Sequence, residues 1–393
     1  MVLAQRDQET RICCLDGIRG IAAMIVVLAH IVAALMPRLY WRDAGSGFQA
    51  FFAGSPFSVI YNGAFAVIVF FVLSGLVIAS SASRSPGPFP ILVITRYIRL
   101  ALPVTASVAL AYFWMRVHPD GTRQSGMTLA NVWLQSFYQP PAPSFADAIS
   151  ESCFGVYWTG RSWFNPVLWT MRTELLGSIG VYAIYRLIPP PLRLRALAAA
   201  SLALFFATGW GQYFLAFSAG AILHETRRAY RIGRWSILAI AFGLILGAYP
   251  NGEIDRTLYA PIAAVLGSLS AAPTVVRTAG ATALILGVLG SLPVQMALTA
   301  RVPQFLGRIS FALYLVHFPT LMIGALPLLL QLDGIGLTAK LGVLGLYLVA
   351  VMVLAWIFTR MVDEPVLAAL SRLRRRFRQP FSPEDPALAE SPS

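Results

Sequence analysis

The chain has 393 residues, 57% hydrophobic and only 12% charged, with a mean hydropathy of +0.69. A water-soluble fold of this size could not hide so much apolar surface, and soluble domains carry about 25% charged residues. The net charge of +13 does not point to nucleic acid. The arginines lie between apolar runs, where the positive-inside rule puts them, and no nucleic-acid motif accompanies them. Cys13 and Cys14 are adjacent and Cys153 stands alone, a spacing that suits neither a disulfide nor a metal.

A membrane crossing needs about 20 mostly apolar residues. Read at that length, the chain predicts an all-α, polytopic transmembrane helical bundle of about ten spans. The polar N-terminus, and the Arg19 and His30 within the first apolar run, do not resemble a cleaved signal peptide. The first span, 15–36, includes LDGIRGIAAMIVVLAHIV. Arg19 and His30 are three helical turns apart, so they share a face about 16 Å apart along the axis. Asp16 stands three residues before Arg19, within pairing reach. Ionisable groups inside a membrane are costly and mark candidate sites. His30 suits proton transfer near neutral pH, or a plain interhelical hydrogen bond. Arg19 reads as a ligand group or as a helix-end anchor. Gly17, Gly20, Ala22 and Ala23 allow close approach of a helix or a ligand.

The second span is 62–83. The third, 92–116, opens on TRYIRLALP. Arg96 and Arg99 share a face and suit phosphate oxygens, or serve as ordinary positive flanking. A long outer segment, about 117–166, is rich in proline, serine and aromatics and is expected to lack regular structure. Its aromatics suit either sugar stacking or the membrane interface. The fourth span, 167–188, places Arg172 and Glu174 near its outer end on different faces.

The fifth and sixth, 194–210 and 211–224, are short and could be one broken segment. The seventh is 235–250, and the stretch 257–275, with Pro261 and Pro273, reads as interfacial or re-entrant. The eighth, ninth and tenth are 279–298, 309–331 and 340–361. Tyr314 and His317 share a face of the ninth, as a polar lining or a core pair. Glu364, before Pro365, reads as a helix end. Residues 367–393 form a tail that is basic and then, being rich in Pro, Ser and Glu, disordered. With ten spans and both termini in the cytoplasm, about twenty arginines fall inside against about eight basic residues outside.

Six motifs in order resemble the membrane-bound acyltransferase-3 family, whose members O-acylate sugars, antibiotics and envelope glycans. They are Arg19 and His30 as R-x10-H, the run Phe70 to Gly75, Arg96 and Arg99 followed by Pro103, Trp169 and Glu174, the run Ile309 to Pro319, and Glu364-Pro365. They run from Arg19 to Pro365 and imply a transmembrane acyltransferase domain over residues 1–366. Phe311 departs from the tyrosine common there.

The resemblance implies an acyl-CoA donor, acetyl being the most frequent group, and a glycan or lipid-linked acceptor at the inner cell membrane. It implies no metal and no nucleic acid, with membrane lipids as surroundings. His30 and Glu174 are the expected catalytic groups. Arg19, Arg96 and Arg99 are expected to hold the donor, with Asp16 supporting Arg19. Ser74, Gly75, Trp169, Tyr314 and His317 are expected to line the acceptor. A proton-coupled transporter of a sugar or small organic solute would also keep His, Arg and Glu in its spans, but should show inverted repeats, and none is seen. A non-catalytic membrane partner or sensor is the third reading.

Overall fold

The computed structural model describes residues 2–41, 48–84, 88–226, 233–252, 254, 257–267, 269–331 and 337–376. Among them the chain is helical, with no strand. The longer helices are α1 (Val2–Leu35), α2 (Gly63–Arg84), α3 (Phe89–Val117), α4 (Trp169–Leu187), α5 (Pro190–Ala207) and α6 (Gly211–Thr226). They continue with α7 (Ser236–Gly247), α8 (Ala272–Gly290), α9 (Arg301–Pro319), α10 (Leu337–Phe358) and α11 (Glu364–Arg376). Seven described helical stretches are long and apolar enough to cross a membrane. Shorter or more polar helices, α4, α6 and α7, complete the bundle. With no water in hydrocarbon to satisfy its peptide groups, such a chain must bond them internally, as helices do.

Helices α1 and α9 set the frame. A side chain at Gly20 would fall 2.4 Å from the Gly307 backbone nitrogen, and one at Gly307 would fall 2.3 Å from the Asp16 carbonyl. Only glycine lets these backbones approach so closely. Ten residues further along each helix, His30 meets His317. The two helices therefore run parallel. Helix α2 returns antiparallel, its first residue Gly63 packed on Ala29. The chain beyond α10 comes back to the start of α9, where Glu364 pairs with Arg308.

Pro319 has no N–H for the Leu315 carbonyl. That carbonyl instead accepts from the Ser107 hydroxyl and the Asn165 amide, each at 2.8 Å. The chain just before α4 is thereby drawn into the bundle.

Several expectations change. The segment between α3 and α4 is a cap of short helices rather than irregular chain. Asn131 caps one of them and also donates to the Ala33 and Ala34 carbonyls at the end of α1. Ser144 and Asp147 form a capping box on another, and the Ser144 bonds hold the Asp147 carboxyl below its usual range. The segments 194–210 and 211–224 are two separate helices, α5 and α6, packed on each other. The eighth expected span begins earlier and ends at Gly290, because Pro293 opens a new short helix, Leu292–Leu298. The stretch 257–275 holds the short helix Ala260–Leu266 and the start of α8. Within the expected basic stretch, residues 367–376 are part of α11, where Arg374 donates to the Thr95 hydroxyl. The tail from 377 onward lies outside the described residues.

Candidate active site

A cavity of about 780 Å³ opens where the middle of α1, the middle of α2, the first half of α3, the start of α4, the first part of α9 and the turn after α10 converge. That is an ordinary size for a small-molecule or cofactor site. Arg19, Arg96, Arg99 and Arg308 line it, together with Asp16, Glu174, Asp363 and Glu364. Sequence reasoning expected a carboxylate partner for Arg19 alone, in Asp16. The structure pairs each with a carboxylate.

Arg19 reaches Asp16 at 3.1 Å, as their three-residue spacing predicts. Arg96 holds Glu174 at 2.6 Å and donates through Nε to Ser178. Arg99 meets Asp363 at 2.5 Å and lies 4.8 Å over the Phe311 ring. Arg308 joins Glu364 at 2.6 Å. A guanidinium carries five N–H donors, so these pairings leave donors spare for a further anion.

Glu174 is the main displacement from expectation. It does not stand apart but pairs with Arg96. The chain before α4 dips into the bundle, so Glu174 lies about 20 Å from the far end of α4 and level with Arg96. It also accepts a hydrogen bond from Ser74 at 2.8 Å. Arg172 points elsewhere and packs on Gly160, whose φ of +67° places it in the left-handed region.

Asp363 was missed by sequence reasoning. It ends a π-helical turn, Thr359–Asp363, that carries its side chain inward. Such turns often occur at functional sites. The available signal was an acid beside the Glu-Pro pair at the end of an apolar run. Glu364 likewise lines the cavity, beyond its role at a helix end.

The other expected residues divide. Ser74 and Tyr314 line the cavity. Gly75 does not, because a side chain there would fall 1.9 Å from the Phe217 carbonyl of α6. Gly220 of α6 answers it, with a side chain 1.9 Å from the Val72 carbonyl. This seam fixes α2, and with it Ser74. Gly220→Ala is expected to cost about 1–3 kcal/mol, the usual range for overpacking, read as an earlier unfolding transition in detergent. Trp169 packs on Phe71 and Tyr213 rather than on the cavity.

Tyr314 closes the deep end. Its hydroxyl donates to the Val167 carbonyl at 2.6 Å and lies 2.9 Å from the Thr170 hydroxyl. His317 is fully buried behind it, with ring centroids 5.9 Å apart. His30 follows, its Nδ1 3.1 Å from His317 Nε2. Trp133 and Phe318 cover the His30 ring. The cavity lining thus stops at Tyr314, and neither histidine belongs to it. Among the described residues no cluster of three or more His, Cys, Asp or Glu could hold a metal.

A cavity lined by ion pairs inside a helical bundle, with two imidazoles packed beyond its deep end, defines a membrane protein with a candidate small-molecule site. The comparisons with known proteins make this class specific. The acyltransferase domain that defines the acyltransferase-3 family matches residues 14–360, and the chain belongs to that family. It is similar to the acyltransferase clz18 of Cochliobolus lunatus, at 24% identity over 456 aligned positions, covering 92% of this chain and 95% of the relative. No solved structure matches it.

Proposed function

We propose that the protein is an inner-membrane O-acyltransferase with ten crossings and both termini in the cytoplasm. It takes an acyl group, acetyl foremost, from acyl-CoA and gives it to a hydroxyl of a glycan or lipid-linked acceptor. The observation that carries this reading is the single cavity holding Arg19, Arg96 and Arg99 in a chain of an acyltransferase family. The spare guanidinium donors suit the phosphates of CoA. The pantetheine arm then runs inward past Ser74 and Phe311 towards Tyr314. The parallel course of α1 and α9, and the return of α10, support an even number of crossings.

His30 acts as general base. The acceptor oxygen bonds to the acyl carbon while its proton passes to His30. The C–S bond breaks, and the departing CoA thiolate takes that proton. Since the cavity stops at Tyr314 and His317 stands between Tyr314 and His30, this reading requires this part of α9 to shift for the thioester to meet His30. A second reading follows from the same observation: Glu174 already lines the cavity, and could serve as the base there without that movement.

Purified protein in detergent, given acyl-labelled CoA and crude envelope glycans, is expected to move label onto glycan. Absence of both donor binding and transfer would reject the enzyme. Uptake of sugar by proteoliposomes under a proton gradient would favour the transporter instead.

A further inference from the structure

Four ring nitrogens meet where α1 touches α9, and their partners decide where the protons are. His30 Nδ1 lies 2.9 Å from the Val26 carbonyl, an oxygen that can only accept. Nδ1 of His30 therefore carries a hydrogen. The same nitrogen lies 3.1 Å from His317 Nε2, which must then offer its lone pair. His317 Nδ1 lies 3.0 Å from the Leu313 carbonyl, so its hydrogen is there. Both positions of His317 are thus occupied: Nδ1–H donates to Leu313, and Nε2 accepts from His30. His317 is neutral in this arrangement. The remaining nitrogen, His30 Nε2, has no hydrogen-bond partner among the described residues. It is also not among the buried polar atoms left without one. His30 itself is partly exposed, whereas His317 is fully enclosed.

We infer that His317 is a positioning residue, not an acceptor-binding one: by accepting from Nδ1 it fixes the tautomer of His30 and leaves Nε2 as the one nitrogen free to take a substrate proton. The partner of one ring nitrogen sets the state of the other. The backbone reinforces this. The His317 carbonyl accepts from the Tyr347 hydroxyl at 3.1 Å, and the Leu315 carbonyl two residues earlier is held by Ser107 and Asn165. The backbone that carries the ring is thereby anchored from α3, α10 and the chain before α4. The catalytic consequence rests on the acyl transfer at His30 proposed above, whereas the tautomer itself does not.

The chain has four histidines, so nitrogen-15 spectra of histidine-labelled protein are simple to assign with single variants. Both rings are expected to show a protonated Nδ1 and an unprotonated Nε2. A proton on Nε2 of His317, or on Nε2 of a neutral His30, would overturn the inference whatever the activity. His317→Leu, which removes the acceptor at similar volume, is expected to lower kcat about 10–100-fold with the donor KM unchanged, the scale seen when a partner that orients a functional His is lost. His317→Gln restores an acceptor near the Nε2 position and is expected to recover most of that loss. Equal loss in both, with native melting temperatures, would overturn the positioning role. If neither variant folds, the spectrum of the unaltered protein decides. Correct tautomers in a protein that transfers no acyl group would leave the proton assignment standing and sink the proposed function instead.

Discussion

Replacing His30 with alanine is expected to lower the rate of acyl transfer about 10²–10⁴-fold, the usual contribution of a general base. The protein should still insert and fold, because the ring is only partly buried and its contacts are to Trp133, His317 and Phe318. Donor binding should persist, since Arg19, Arg96 and Arg99 are untouched. The matched variant is Glu174→Gln. It keeps an acceptor for Ser74 but removes the charge that Arg96 grips. If His30 is the base, Glu174→Gln weakens donor binding and leaves a measurable rate at saturating donor. If Glu174 is the base, the pattern reverses, and His30→Ala retains most of the transfer. Initial rates with labelled acyl-CoA, measured for both variants across donor concentration, separate the two.

The second large effect concerns Arg99. Its side chain is 20% exposed and that of Asp363 only 8%, so the pair is largely shielded from water. Removing one member leaves the other as an uncompensated charge. Arg99→Met is expected to cost about 3–5 kcal/mol of stability. Replacing both, as Arg99→Met with Asp363→Leu, should restore most of that, because a buried pair often exchanges for apolar residues with little loss. Thermal unfolding in detergent measures this. Donor affinity should not recover in the double variant, since its guanidinium is still missing. A double variant that regains both stability and affinity would remove Arg99 from the donor site.

Much of the bundle was legible because apolar runs long enough to span a membrane leave few alternatives. Arg19, Asp16, Arg96 and Arg99 were found for the same reason: charges inside such runs are rare. The Arg19–Asp16 pair was legible from its spacing, but the partners of Arg96 and Arg99 were not. Glu174 reaches Arg96 across 78 residues and Asp363 reaches Arg99 across 264, and nothing in local periodicity encodes contacts of that separation. Gly75 illustrates the opposite error. A small residue beside Ser74 looks like space for a substrate, yet its space is filled by the backbone of α6. Helical pitch put Tyr314 and His317 on one face, but could not tell that one faces the cavity while the other faces His30. The cap between α3 and α4 was misread because proline and aromatic content hid its Asn131 and Ser144 caps, which are detectable only residue by residue.

The contact between α1 and α9 also bears on how the protein is made. His30 leaves the ribosome early, and His317 emerges 287 residues later. Until then the nascent chain holds its first imidazole without its companion, and Gly20 without Gly307. The pair of imidazoles is therefore assembled only near the end of synthesis, when α9 docks beside α1. A chain stopped after α8 would present a half-built surface that invites capture by quality control.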